Sequence, residues 1–203
     1  MASITLRPEL ARAAASLARV AEDGGLPALV ATGAAHGEGV TTVTAHLARE
    51  LVEHLGLRVL LVDLAPGRGR LADTLAALSN PPAEIREDAV AGANAAWALV
   101  DLAQAATEPM RDLRQRFAAL LGAAAGRFDI VLVDAPPLCN GLETLVAARA
   151  CGQALLVVRA GNLPYETLER MRDDLREAQV EILGVILNQR REVVPAWIDR
   201  LLR

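Results

Sequence analysis

The sequence predicts an α/β fold in three layers, a mostly parallel sheet with helices on both faces. Three observations carry this expectation. Short, near-continuous apolar runs rich in Val, Leu and Ile recur along the 203-residue chain, as strands buried on both faces do. Longer segments between them carry apolar residues at three- and four-residue spacing, with charges on the other side. The two kinds alternate as β-α-β-α, an order that closes naturally into a parallel sheet with right-handed crossovers.

The elements follow in order. A helix is expected within residues 1–25, and the first strand is LPALVAT (26–32). A glycine-rich turn then leads into a helix from Thr41 to Leu55, followed by the strand LRVLLVD (57–63). Residues 73–107 are the least regular: Pro81-Pro82 marks a loop and AWALVDL (96–102) a weaker strand. Helical spacing returns from Met110 to Ala125, ahead of FDIVLVD (128–134). A helix from Leu142 to Arg149, the strand QALLVVR (153–159), a helix from Tyr165 to Ala178 and the strand VEILGVILN (180–188) complete the series. The ending, 193–203, reads as an amphipathic helix with Trp197, Ile198, Leu201 and Leu202 on one side and Arg200 and Arg203 opposite. With no linker or composition break, 1–203 is expected to be a single domain.

Composition narrows the function. The chain is 53% hydrophobic and 23% charged, with formal net charge −4, so it is expected to fold and lacks the basic field that holds nucleic acid. Cys139 and Cys151 form no metal-type cluster. Arg7, Arg12 and Arg19 interrupt the N-terminal segment, and the longest uncharged runs, such as Ala89 to Val100, are too short to span a bilayer. A cytoplasmic location is the expectation. All 21 basic residues are arginine; the chain has no lysine.

In a parallel sheet of this kind ligands sit at the carboxyl ends of the strands. After the first strand comes His36-Gly37-Glu38-Gly39-Val40-Thr41-Thr42, then a helix. Glycines in such a turn let backbone N–H groups converge on one concavity, and the helix adds the positive end of its dipole. The bland alternative is a tight turn in which Thr41 or Thr42 caps the helix. Asp63 and Asp134 end two further strands at the same sheet edge, where Mg²⁺ or an attacking group is handled. His46 and His54 lack a third ligand, and Glu143 at a helix start complements the dipole.

These segments together resemble the bacterial tyrosine kinases of capsule and exopolysaccharide assembly, a branch of the deviant-Walker P-loop ATPases. The family's P-G-E-G-K-S-T, V-L-L-I-D-A-D-x-R-R-P, Y-D-x-V-I-I-D-T-P-P, L-L-V-V-R-A-G and G-V-V-L-N stand here as HGEGVTT, VLLVDLAPGRG, FDIVLVDAPP, LLVVRAG and GVILN. The resemblance implies a P-loop-type fold. It assigns Asp63 the catalytic carboxylate, Gly37, Glu38, Gly39, Val40, Thr41, Thr42 and Asn188 to nucleotide binding, and Thr41 and Asp134 to the metal.

The departures matter as much. Val40 replaces the loop lysine and Ala65 the second aspartate of D-x-D; the only tyrosine is Tyr165, where the family has a C-terminal cluster. The oligomerisation pattern E-x-x-R-x-x-R begins at Glu9 and Arg12 but ends at Ala15. The expectation is a pseudokinase with weakened binding of ATP or ADP and Mg²⁺. It would support exopolysaccharide polymerisation or export as partner of a membrane co-polymerase of the chain-length-determinant type, peripheral at the inner membrane through that partner. Self-association short of a closed ring is expected, and no nucleic-acid binding. Two alternatives stand beside it: an active tyrosine kinase or ATPase in which Arg68 or Arg70 replaces the lysine, and a partitioning or positioning ATPase, which DAPP and LLVVRAG disfavour.

Overall fold

A computed structural model describes residues 14–19, 21, 27–65, 71–77, 82–84, 86–104, 109–161 and 163–188. Residues 193–203, Arg68, Arg70, Glu9 and Arg12, all used in the sequence expectations, lie outside the described residues. Seven parallel strands form one sheet: β1 (Ala28–Thr32), β2 (Val59–Asp63), β3 (Ala83–Glu84), β4 (Trp97–Asp101), β5 (Ile130–Asp134), β6 (Gly152–Arg159) and β7 (Glu181–Asn188). Their order is β3-β4-β2-β5-β1-β6-β7. The helices are α1 (residues 14–19), α2 (Val40–Glu53), α3 (Leu71–Ala76), α4 (Met110–Ala124), α5 (Leu142–Cys151) and α6 (Tyr165–Glu177).

The three layers follow from the two periods. Along β2, Leu60 and Val62 face one core with Leu113, Phe117 and Leu120 of α4, Ala147 and Ala148 of α5, and Met171 and Leu175 of α6. Val59 and Leu61 face the other, with Ala14 and Leu17 of α1, Leu47 and Leu51 of α2, and Leu71 and Leu75 of α3. Both faces of the central strands are dry, which is why they read as unbroken apolar runs. The sequence does not predict strand β3; its two residues, Ala83 and Glu84, are exposed and too short for any period to register. Chain direction changes at glycine where left-handed backbone is needed: Gly152, at φ 79°, ends α5 and starts β6 without a connecting loop.

The same alternation sets the functional edge. Leu61, Leu132 and Leu99 face the α2 side, so the residues two positions on, Asp63, Asp134 and Asp101, fall on that side too. They are also in register: Asp63 pairs with Asp134 on β5 and with Asp101 on β4.

Candidate functional site

The turn from β1 into α2 lies beside this carboxylate row, with Thr41 next to Asp134. Gly37 and Gly39 have φ of 82° and 87°, values that cost a side-chain-bearing residue strain and glycine little. Gly39 is the residue before α2, so the amide end of a 14-residue helix opens at the loop. Val40 and Thr41 are half-buried and Thr42 is exposed.

Four hydrogen bonds fix the loop and the turn after β5 beneath it. The Leu138 amide donates to the Gly33 carbonyl at 2.9 Å. The hydroxyls of Thr32 (2.7 Å) and Thr144 (3.0 Å) both donate to the Pro136 carbonyl, tying β1 and α5 to the Asp134-Ala135-Pro136-Pro137 turn. Asn188, at the end of β7, donates from Nδ2 to the Glu38 carbonyl at 2.8 Å.

The two motif aspartates differ sharply. Asp63 is buried, and its oxygens accept the amides of Ala65 and Leu71, each at 3.1 Å, so it fastens the chain leaving β2 to the start of α3. Asp134 is fully buried and neither carboxylate oxygen has a hydrogen-bond partner. Burial pushes its pKa up to about 7; the nearby Thr41 and Thr44 hydroxyls pull it down and the Asp63 charge pushes it further up. Neither hydroxyl closes a bond onto the carboxylate, and Thr44 donates instead to the Val40 carbonyl at 3.0 Å.

An orphaned buried carboxylate beside a half-buried threonine at the start of a helix suits Mg²⁺, which is usually held by one or two carboxylates together with substrate phosphates. Among the described residues no group of three or more His, Cys, Asp or Glu could hold a metal unaided. The first residue of α2, Val40, is apolar and half-buried. Of the residues predicted from sequence, the structure brings Gly37, Glu38, Gly39, Val40, Thr41, Asp63, Asp134 and Asn188 to one edge of the sheet, with Thr42 at its exposed margin. Sequence reasoning passed over Asp101, whose Oδ1 accepts the Ala103 amide at 2.9 Å, and Thr44. Asp101 carries the same signal as the other two, an apolar run ending in Asp.

The fold and site define a protein of the P-loop NTPase-like class. No family model matches the chain. It is 25% identical to a tyrosine-protein kinase, CpsD, of Streptococcus agalactiae over 181 residues, covering 84% of this chain and 78% of that protein. It is 28% identical to the tyrosine-protein kinase wzc of Salmonella typhi over 169 residues, covering 79% of this chain and only 23% of that much longer protein. Among solved structures, the kinase domain of the Escherichia coli tyrosine kinase ETK superposes with a TM-score of 0.69 at 27% identity, covering 92% of this chain and 78% of that one. In sequence and fold the chain is therefore similar to bacterial tyrosine-protein kinases.

Proposed function

We propose that the chain is a tyrosine-kinase-like pseudokinase of exopolysaccharide polymerisation or export, cytoplasmic and held at the inner membrane by a chain-length-determinant co-polymerase. Its relatives support the pathway. The observation that carries the loss of phosphotransfer is the charge at the loop: Val40 is apolar, the chain has no lysine, and two buried carboxylates, Asp63 and Asp134, stand in register beside it. Phosphoryl transfer depends on positioning and charge compensation, and one cation is worth about a thousandfold or more in rate. Ala65 removes a further carboxylate from the metal side, and Tyr165, the single tyrosine, is 69% exposed at the start of α6 with no cluster around it in the sequence.

Weak binding of ATP or ADP with Mg²⁺ is part of this proposal. Backbone amides from Gly37 to Thr42 would hold the phosphates, Thr41 and Asp134 the metal, and Asn188 would keep the loop backbone in place. When bound, Mg²⁺ supplies the positive charge the loop lacks. Among the described residues no helix is long and apolar enough to cross a membrane, which is compatible with attachment through a partner. The test is ATP turnover and autophosphorylation with Mg²⁺, wild type against Asp134→Ala. Equal, background rates are expected; turnover clearly above that control would overturn the pseudokinase reading.

A further inference from the structure

We infer that Glu38 is the positioning residue of the loop: its carboxylate is an internal anion that holds the loop's opening amides, leaving the start of α2 to a phosphate. This rests on the nucleotide-binding reading above. Glu38 is only 5% exposed although it lies in a surface turn. A single oxygen, Oε2, accepts the Ala34 amide at 2.6 Å and the Ala35 amide at 3.0 Å. A buried carboxylate receiving two backbone amides is a short-range, charge-assisted lock on the loop's shape. Gly33 is what makes room for it. A Cβ there would run into the Glu38 carboxylate, would meet the Val157 carbonyl oxygen at 2.8 Å and would crowd Val40 Cγ2 at 3.2 Å.

The backbone of the same residue is gripped from the other side, where Asn188 Nδ2 reaches the Glu38 carbonyl at 2.8 Å. Glu38 is therefore fixed at both its side chain and its main chain, one set of contacts reaching back to Ala34 and Ala35 just after β1 and the other across to β7. The cost of this arrangement is a negative charge beside a site for anions. Shape and charge predict opposite effects for two substitutions. Glu38→Gln keeps an acceptor oxygen and removes the charge; Glu38→Ala removes both.

The experiment measures amide hydrogen exchange at Ala34 and Ala35, and in parallel titrates each protein with a fluorescent ADP analogue in the presence of Mg²⁺. In Glu38→Ala the two amides are expected to exchange at least tenfold faster, and affinity to fall about tenfold, the loss of roughly one charge-assisted hydrogen bond. In Glu38→Gln protection is expected to persist and affinity to equal or exceed wild type. Unchanged exchange in Glu38→Ala would overturn the inference, as would a Glu38→Gln variant that binds as poorly as Glu38→Ala. If wild type binds no nucleotide, the nucleotide reading falls, while the exchange measurement still decides whether Glu38 holds the loop. Should Glu38→Ala fail to fold, retained protection in Glu38→Gln supports the inference and loss of protection there refutes it.

Discussion

Replacing Asp134 with Asn should make the protein's stability less dependent on pH between 5 and 8. The Asp134 pKa is raised from an ordinary 3.8 to about 7 by burial. A raised folded-state pKa means the neutral acid is the form the fold tolerates: the stability associated with it is fully present below about 3.8 and is lost as pH rises through 7. A tenfold change in an ionisation constant corresponds to about 1.36 kcal/mol, so the full penalty is about 4 kcal/mol and the part incurred between pH 5 and pH 8 is about 3 kcal/mol. Other groups titrate in this window and appear in both proteins, so the informative quantity is the difference between wild type and Asp134→Asn. Urea unfolding at pH 5, 6, 7 and 8 measures it. Asp134→Asn should gain about 3 kcal/mol on wild type across the series, and millimolar Mg²⁺ should shrink that gain at pH 8 by stabilising ionised wild type. Two stability profiles that run parallel from pH 5 to pH 8 would refute the claim that Asp134 is an unpartnered buried carboxylate.

The other predictions are more local. Val40→Lys should tighten Mg²⁺-nucleotide binding by about tenfold or more, since an ammonium adds charged hydrogen bonds to the phosphates; with Ala65 unchanged it should restore little phosphotransfer, and recovery of full kinase activity would show that Ala65 is immaterial. Gly33→Ala should destabilise the chain by about 1–3 kcal/mol through crowding against the Val157 carbonyl, read as a drop in urea midpoint. Thr32→Val and Thr144→Val should each cost about 1 kcal/mol, and their double-mutant cycle should be non-additive because both hydroxyls donate to the Pro136 carbonyl. Light scattering should find monomers or dimers rather than a closed ring. Ala15, where the oligomerisation pattern has arginine, is exposed on α1, and a stable octamer would contradict this.

Much of the fold was legible because burial on both faces writes itself into strands as unbroken Val, Leu and Ile. The runs ending in Asp63 and Asp134 gave both a strand and a place on the sheet edge. Strand β3 left no such mark, since two exposed residues have neither burial nor period. The loop was legible as glycines and as an absent lysine. The role of Glu38 was not, because spacing cannot tell an outward acid at a turn from one folded under it; that distinction needs the position of Gly33 and the two amides. Asp63 and Asp134 likewise look alike in sequence. They part company only in space, where the amides of Ala65 and Leu71 reach one and nothing reaches the other.

The turn between β1 and α2 is likewise understood only from its contacts in space. Shape and charge have different physical sources here. The shape is held by contacts that never involve a ligand: Leu138 to Gly33, Asn188 to Glu38, and Glu38 to Ala34 and Ala35. Each is worth about 0.5–1.5 kcal/mol or somewhat more where charged, and together they join β1, β7 and the turn after β5. A lysine at position 40 would add nothing to this set unless a phosphate were present, so replacing it with valine carries no folding penalty from these bonds, whereas losing Glu38 or Gly33 does. The shape of the loop therefore rests on contacts within the fold. The consequence is a directional one: Gly33→Ala and Glu38→Ala should lower stability in the absence of nucleotide, and Val40→Lys should leave it nearly unchanged.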